Sequence, residues 1–298
     1  MNRFPPQRIL VAFDFTQRSL QAWRYAETLA ARFGAELEAL HVAAWTVAPD
    51  GLFIAPDLTQ PERRALTEEL DRKLGRPGAG RVAEGDVVSE ILARARTAGA
   101  DMIVMATEGR VGLKRLAFGS LAEAVVRRSP IPVLTLRRPA KAPSSLLAPV
   151  NLEEYSMSGF HYAEDLARTL KLPLTLLHVR ADQRPVRRLE LAADAARRLW
   201  GVRARLEVVD GEPVRRIVAE AKRHGLVVMV AHRRGLLRDA LLGSTAEQVL
   251  RRSPVPVLCV PARVLPSRRK AAPRRGSRAG TFGSRFAARG RPALGWKA

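Results

Sequence analysis

The stretch Met105–Ala–Thr–Glu–Gly–Arg–Val–Gly–Leu–Lys–Arg–Leu–Ala–Phe–Gly–Ser120 joins an apolar run to a segment of helical pattern, Leu121–Ala–Glu–Ala–Val–Val–Arg–Arg128. Glycine has no Cβ, so Gly109 and Gly119 let backbone amides come close to a phosphate, and the free amides opening the next helix add positive potential for an anion. A phosphate therefore fits against Gly109, Gly119 and Ser120. Asp14 closes the apolar run Ile9–Leu–Val–Ala–Phe13, which places a carboxylate at the end of a first strand, where open α/β sheets take their ligands. Helix structure alone would explain the serines, because Ser120 and Glu123, like Ser244 and Glu247, have the spacing of a capping box. It leaves Gly109 and its spacing to Gly119 unexplained.

Other chemistries find little support. Lys114 precedes Gly119 by five residues, unlike the lysine that follows the glycines of a P-loop. No Ser/His/Asp or Cys/His set suggests nucleophilic catalysis. His41 and His178 end equivalent strands without a second ligand at metal spacing, and read as packing residues. His224 and His232 lie in basic stretches and read as surface. The single cysteine, Cys259, sits in the apolar run Val255–Val260 and reads as a small buried hydrophobe. Neither an enzyme nor a metal site is indicated.

The elements that must hold these residues repeat. Ile9–Asp14 is echoed by Leu146–Asn151 and Leu40–His–Val42 by Leu177–His–Val179, both at an offset of 137. Gly85–Ile91 is echoed by Gly211–Ile217, Gly119–Ser120 by Gly243–Ser244 and Ser129–Val133 by Ser253–Val257, the offset falling to 124. A longer stretch in the first copy, Thr46–Arg76, accounts for most of the difference. Short apolar runs alternate with helical patterns in each copy, which predicts a parallel sheet covered on both faces. Strands are expected near 9–13, 35–42, 80–84, 102–106 and 132–136, and again near 146–150, 173–179, 204–209, 226–230 and 256–260. The spacing predicts a helix over Gln17–Arg32, ended by a Gly34 C-cap, and its counterpart over Ser158–Leu170. The fold class is α/β: two tandem five-stranded, parallel, doubly wound, Rossmann-like domains at 1–137 and 145–261, joined by a linker at 138–144.

Residues 262–298 form a basic tail of disordered composition. From Arg263 onward it carries eleven Lys or Arg and no acid, half of the net charge of +22. With Phe282, Phe286 and Trp296 it suggests an arm for nucleic acid. No apolar run is long enough to span a bilayer, and Met1–Gln7 lacks a signal-peptide pattern. The expected location is the cytoplasm, without membrane contact.

In their order and spacing these pieces resemble the universal stress protein family, whose signature is a glycine, two residues, a glycine, nine residues, then Gly–Ser or Gly–Thr. The first copy departs only at Ala106, which stands for the first glycine. The second departs further, with Val230 and Arg233 for the two leading glycines and Asn151 for Asp14. The resemblance implies a non-enzymatic stress-response protein in which the first copy alone holds ATP, with or without Mg²⁺, as a sensor or switch. The adenine would lie near Asp14 and Val42, and the ribose and phosphates near Ala106, Gly109, Gly119 and Ser120. Ala12, Met105 and Leu121 complete the candidate set. It also implies pairing of the two domains through the fifth-strand edges, about Val133–Arg137 and Val257–Pro261. A nucleotide-free scaffold contacting partner proteins is the first alternative, and nucleic-acid association through the tail the second.

Overall fold

The computed structural model describes residues 4–44, 46–47, 53–54, 57–107, 120–151, 154–180, 186–231, 233–234 and 241–262. In the first half the elements run β1 (Arg8–Ala12), α1 (Gln17–Phe33), β2 (Glu36–Ala44), a two-residue ladder β3 (Thr46–Val47) and β4 (Phe53–Ile54), α2 (Gln60–Leu74), β5 (Gly80–Gly85), α3 (Val87–Thr97), β6 (Met102–Ala106), α4 (Ser120–Arg128) and β7 (Val133–Leu136). The second half follows with β8 (Leu146–Pro149), α5 (Glu154–Leu170), β9 (Leu174–Arg180), α6 (Arg187–Trp200), β10 (Ala204–Asp210), α7 (Pro213–Ala221), β11 (Leu226–Ala231), the ladder β12 (Arg233–Arg234) and β13 (Leu241–Leu242), α8 (Ser244–Arg252) and β14 (Val257–Pro261). Both halves lie in one compact unit.

Ten strands make one sheet in the order β10-β9-β8-β11-β14-β7-β6-β1-β2-β5. Within each half the strands are parallel and the order reverses beside the first strand, so the sheet is doubly wound as expected. Inner strands such as Met102–Ile–Val–Met and Val133–Leu–Thr–Leu136 are buried throughout, because helices cover both faces. The outer strands β5 and β10 are half-exposed and carry Arg81, Glu84, Arg205 and Glu207, which blunt the free edges. One face packs against α1, α2, α5 and α6 around Trp23, Leu29, Leu70, Phe160 and Leu166. The other packs against α3, α4, α7 and α8 around Ile91, Val125, Ile217 and Val249.

The halves meet where β7 and β14 pair antiparallel, Val257 opposite Thr135, Leu258 opposite Leu134 and Cys259 opposite Val133. Cys259 is fully buried at this seam, and burial pushes its thiol up to about 12. Above the seam Arg251 of α8 reaches Glu123 of α4 at 3.2 Å and Glu247 of its own helix at 2.8 Å.

Two expectations are corrected. Helix α5 begins at Glu154, four residues before Ser158, in register with Gln17 of α1 at the 137-residue offset. His224 is buried rather than on the surface. Its Nδ1 lies 3.2 Å from Ser145 Oγ, and its Nε2 lies 3.5 Å from Glu220 Oε1. The linker folds over this turn so closely that a Cβ on Gly225 would stand 2.7 Å from Ser144 N. A basic stretch in sequence thus becomes interior because another segment covers it.

Both repeats end their first helix with a left-handed residue, Gly34 at φ 68° and Lys171 at φ 55°. The closing bond is the same in each, Ala35 N–H to Ala30 O at 3.0 Å and Leu172 N–H to Ala167 O at 2.9 Å. A side chain in this conformation costs about 1 kcal/mol relative to glycine. Lys171→Gly is therefore expected to raise the unfolding free energy by about 1 kcal/mol and Gly34→Ala to lower it by about the same, measured by urea denaturation. His224 gives a pH dependence. Burial, working against Glu220, holds its imidazole below the usual 6.5, so the folded state binds fewer protons than the unfolded chain just below that pH. Its stabilising effect is complete above about 6.5 and declines as pH falls through it. His224→Asn should flatten that part of the stability profile. An unchanged slope would assign it to other groups.

Candidate functional site

At the ends of β1, β2 and β6, beside the starts of α1, α3 and α4, lies a cavity of about 560 Å³. Ala12, Asp14, Val42, Met105, Ala106 and Leu121 all line it. Six candidate residues from four separate segments of the sequence thus share one wall. Ser120 opens α4 immediately before Leu121 but is not part of the wall. Gly109, Gly119 and Lys114 lie outside the described residues, as do His232 and the tail from Arg263.

Asp14 is held by the turn that starts α1. Its Oδ1 accepts from Thr16 N–H at 3.1 Å and from the Thr16 hydroxyl at 2.5 Å. Thr16 in turn caps the helix by accepting from Ser19 N–H at 3.2 Å. The carboxylate is therefore fixed at the rim, and its Oδ2 makes no hydrogen bond among the described residues. Between Asp14 and Thr16, Phe15 adopts φ 62°, an uncommon conformation for a bulky side chain. Its ring meets Phe13 at 5.6 Å and His41 at 4.7 Å, both edge-on. His41 Nδ1 stands 2.9 Å from Phe13 O, and His178 Nδ1 stands 3.0 Å from Val150 O in the second half. Each histidine thus ties the end of the first strand to the second. His41 also lines the cavity.

The capping boxes do not form. Ser120 and Ser244 are already the first helical residues, and the N-cap of α8 is Gly243, which offers no side chain. Glu123 and Glu247 instead share Arg251 across the seam. The sequence reading also missed Ser19, Thr107, Val87 and Ile91 as wall residues. Val87 and Ile91 carried a signal, since their spacing of four puts them on one helix face. Ser19 and Thr107 carried none. Among the described residues, no group of three or more His, Cys, Asp and Glu could hold a metal ion.

At the matching place in the second half, Val230 stands where Ala106 stands in the first, and Gly159 where Ala22 stands. A Cβ on Gly159 would lie 2.4 Å from Val230 Cγ2. The larger strand residue is accommodated only because the helix residue facing it has no side chain. Val230 thus fills against α5 the place that the Cβ of Ala22, fully buried, takes in the first half.

The parallel 3-2-1-4-5 strand order of each half of the sheet, with the cavity at the carboxyl edge of the first, defines the class of open, doubly wound α/β proteins, in which ligands bind at that edge. The model of the universal stress protein family matches residues 6–137 and again 144–261. The chain belongs to that family. A universal stress protein of Methanocaldococcus jannaschii is 29% identical over 147 residues, 45% of this chain and 84% of that protein. One from Mycobacterium tuberculosis is 29% identical over 182 residues, 53% of this chain and 61% of that protein. The crystal structure of a universal stress protein from Archaeoglobus fulgidus shares the fold at a TM-score of 0.69 and 20% identity, covering 87% of this chain and 100% of that one.

The contact between Gly159 and Val230 gives a direct test. Gly159→Ala alone should destabilise the protein by about 1 to 3 kcal/mol, as overpacking does. Adding Val230→Ala should recover most of the loss, read from a double-mutant cycle in urea. Additive losses would show that the two residues do not compete for space.

Proposed function

We propose that this stress-response protein is not an enzyme, and that its first half binds an adenine nucleotide in the carboxyl-edge cavity while the second serves as its structural partner. The observation that carries this reading is the convergence of Ala12, Asp14, Val42, Met105, Ala106 and Leu121 on a single cavity of about 560 Å³. That volume lies within the range of about 300 to 1,000 Å³ typical of small-molecule sites. Its walls are mostly aliphatic, with the fixed carboxylate of Asp14 at the rim, which suits a flat heteroaromatic ring with amino and hydroxyl groups at one end. Leu121 and Ala122 bring the start of α4 to the same cavity. The first amides of that helix can face a phosphate.

The site needs no catalytic group to act as a sensor, because occupancy alone shifts the balance of conformations. Family membership supports the stress-response role, and Asn151, Val230 and Arg233 at the places of Asp14, Ala106 and Gly109 support the restriction to one half. Location in the cytoplasm fits this reading, and no described helix is long and apolar enough to cross a membrane.

Titration calorimetry of the full chain with ATP and Mg²⁺ tests the proposal, beside Asp14→Ala and Leu121→Arg variants whose folding is checked by circular dichroism. Micromolar binding is expected, weakened at least tenfold in both variants. No heat and no thermal shift at millimolar ATP would discard the nucleotide and favour a scaffold that contacts partner proteins.

A further inference from the structure

The first half has a second large cavity at the opposite edge of the sheet, where β1 and β2 begin and α2 and α3 end. It encloses about 570 Å³. Its charged wall is made by Arg8, Arg76, Arg81 and Arg94 with Glu36 and Glu38, an excess of two positive charges. From Arg8 to Ala12 is about 13 Å of strand at 3.3 Å per residue, so this cavity is separate from the candidate nucleotide site.

The two glutamates orient the arginines without using up their donors. Arg8 Nε donates to Glu36 at 2.8 Å and its Nη1 to Ala98 O at 2.8 Å. Arg94 Nε and Nη2 both donate to Glu38 at 2.6 Å. Arg81 Nη1 donates to Gly78 O at 3.0 Å and Gly80 O at 2.7 Å, while its Nε stands 3.7 Å from Glu38. Each guanidinium keeps one terminal nitrogen with no hydrogen bond among the described residues: Nη2 of Arg8, Nη1 of Arg94 and Nη2 of Arg81. Arg76, exposed at the rim, makes no ion pair among them. Donors fixed before a ligand arrives lose little side-chain entropy on binding, and guanidinium N–H groups match phosphate oxygens well. At the corresponding positions of the second half Ser145 replaces Arg8 and Glu220 replaces Arg94.

We infer that this cavity is a binding site for a small anion of the phosphate class, a diphosphate or a phosphate ester. The excess charge sets the sign of the ligand. The volume leaves room for an organic group beyond the phosphate.

The test is calorimetric titration of the full chain with pyrophosphate at low salt, without divalent metal. Arg8→Gln with Arg81→Gln should weaken binding at least tenfold. Arg215→Gln with Arg252→Gln removes two exposed charges from α7 and α8 and should change it less than twofold. Equal losses in the two double variants would leave only general attraction to a basic surface and overturn the site, as would no loss in the first or no binding by the unmodified chain. Thr97→Glu sets a negative charge on the exposed wall without touching the Glu38 network. It should give the same tenfold loss, and it decides the matter should the arginine variant fail to fold.

Discussion

Three residue pairs between β7 and β14 join the halves, and the rest of the architecture depends on that short antiparallel contact. Each half alone would end in an unpaired apolar strand, Val133–Leu–Thr–Leu136 in one and Val257–Leu–Cys–Val260 in the other, with a row of amides and carbonyls open to any other strand. Pairing them removes both edges at once. Thr135 adds a side-chain bond to Val257 O at 3.2 Å, and the interior position of Cys259 leaves it no route to chemistry. The free edges of the sheet become β5 and β10, whose charged residues tolerate water.

Because the contact is antiparallel, the strands of the two halves point to opposite edges of the sheet. The carboxyl edge of the first half, with its cavity, lies opposite the carboxyl edge of the second. The same contact brings α4 beside α8, so Arg251 lies between Glu123 and Glu247. Glu123 follows directly on Leu121 and Ala122, which line the cavity. The wall of the candidate site and the seam between halves are therefore one turn of helix apart.

Most of the fold was legible because it is encoded locally. Apolar runs of five or so residues, separated by helical periodicity and repeated at a nearly fixed offset, define the strands, and Gly34 marks its helix end through a backbone requirement no other residue meets as cheaply. The wall of the cavity was legible for a related reason: strand ends lie at fixed places in a doubly wound sheet, so Ala12, Asp14, Val42 and Ala106 had to converge. What escaped depends on contacts between segments far apart in the chain. His224 reads as surface until the linker is folded over Gly225. Ser244 reads as a cap until Gly243 takes that place and Ser244 becomes the first helical residue. The arginine-lined cavity draws on residues near 8, 36, 76, 81 and 94, none of which forms a motif with its neighbours in sequence.

The comparison of the halves shows how one frame comes to do different work at its two edges. Histidines at the ends of β2 and β9 make the same bond to the preceding strand in both, and the left-handed turn after the first helix is kept even where lysine must adopt it. These are constraints of the frame. The exchanges lie at strand ends and on the helices beside them, where Ala106 and Ala22 become Val230 and Gly159, and where Arg8 and Arg94 become Ser145 and Glu220. The first exchange moves bulk from the helix to the strand end in the second half, and the second removes two arginines from its amino edge. Both of the large cavities described lie in the first half, on opposite edges of one sheet. The second half covers the apolar β7 edge of the first, so substitutions in β14 that weaken this pairing are expected to act on the first half through the stability of the shared sheet.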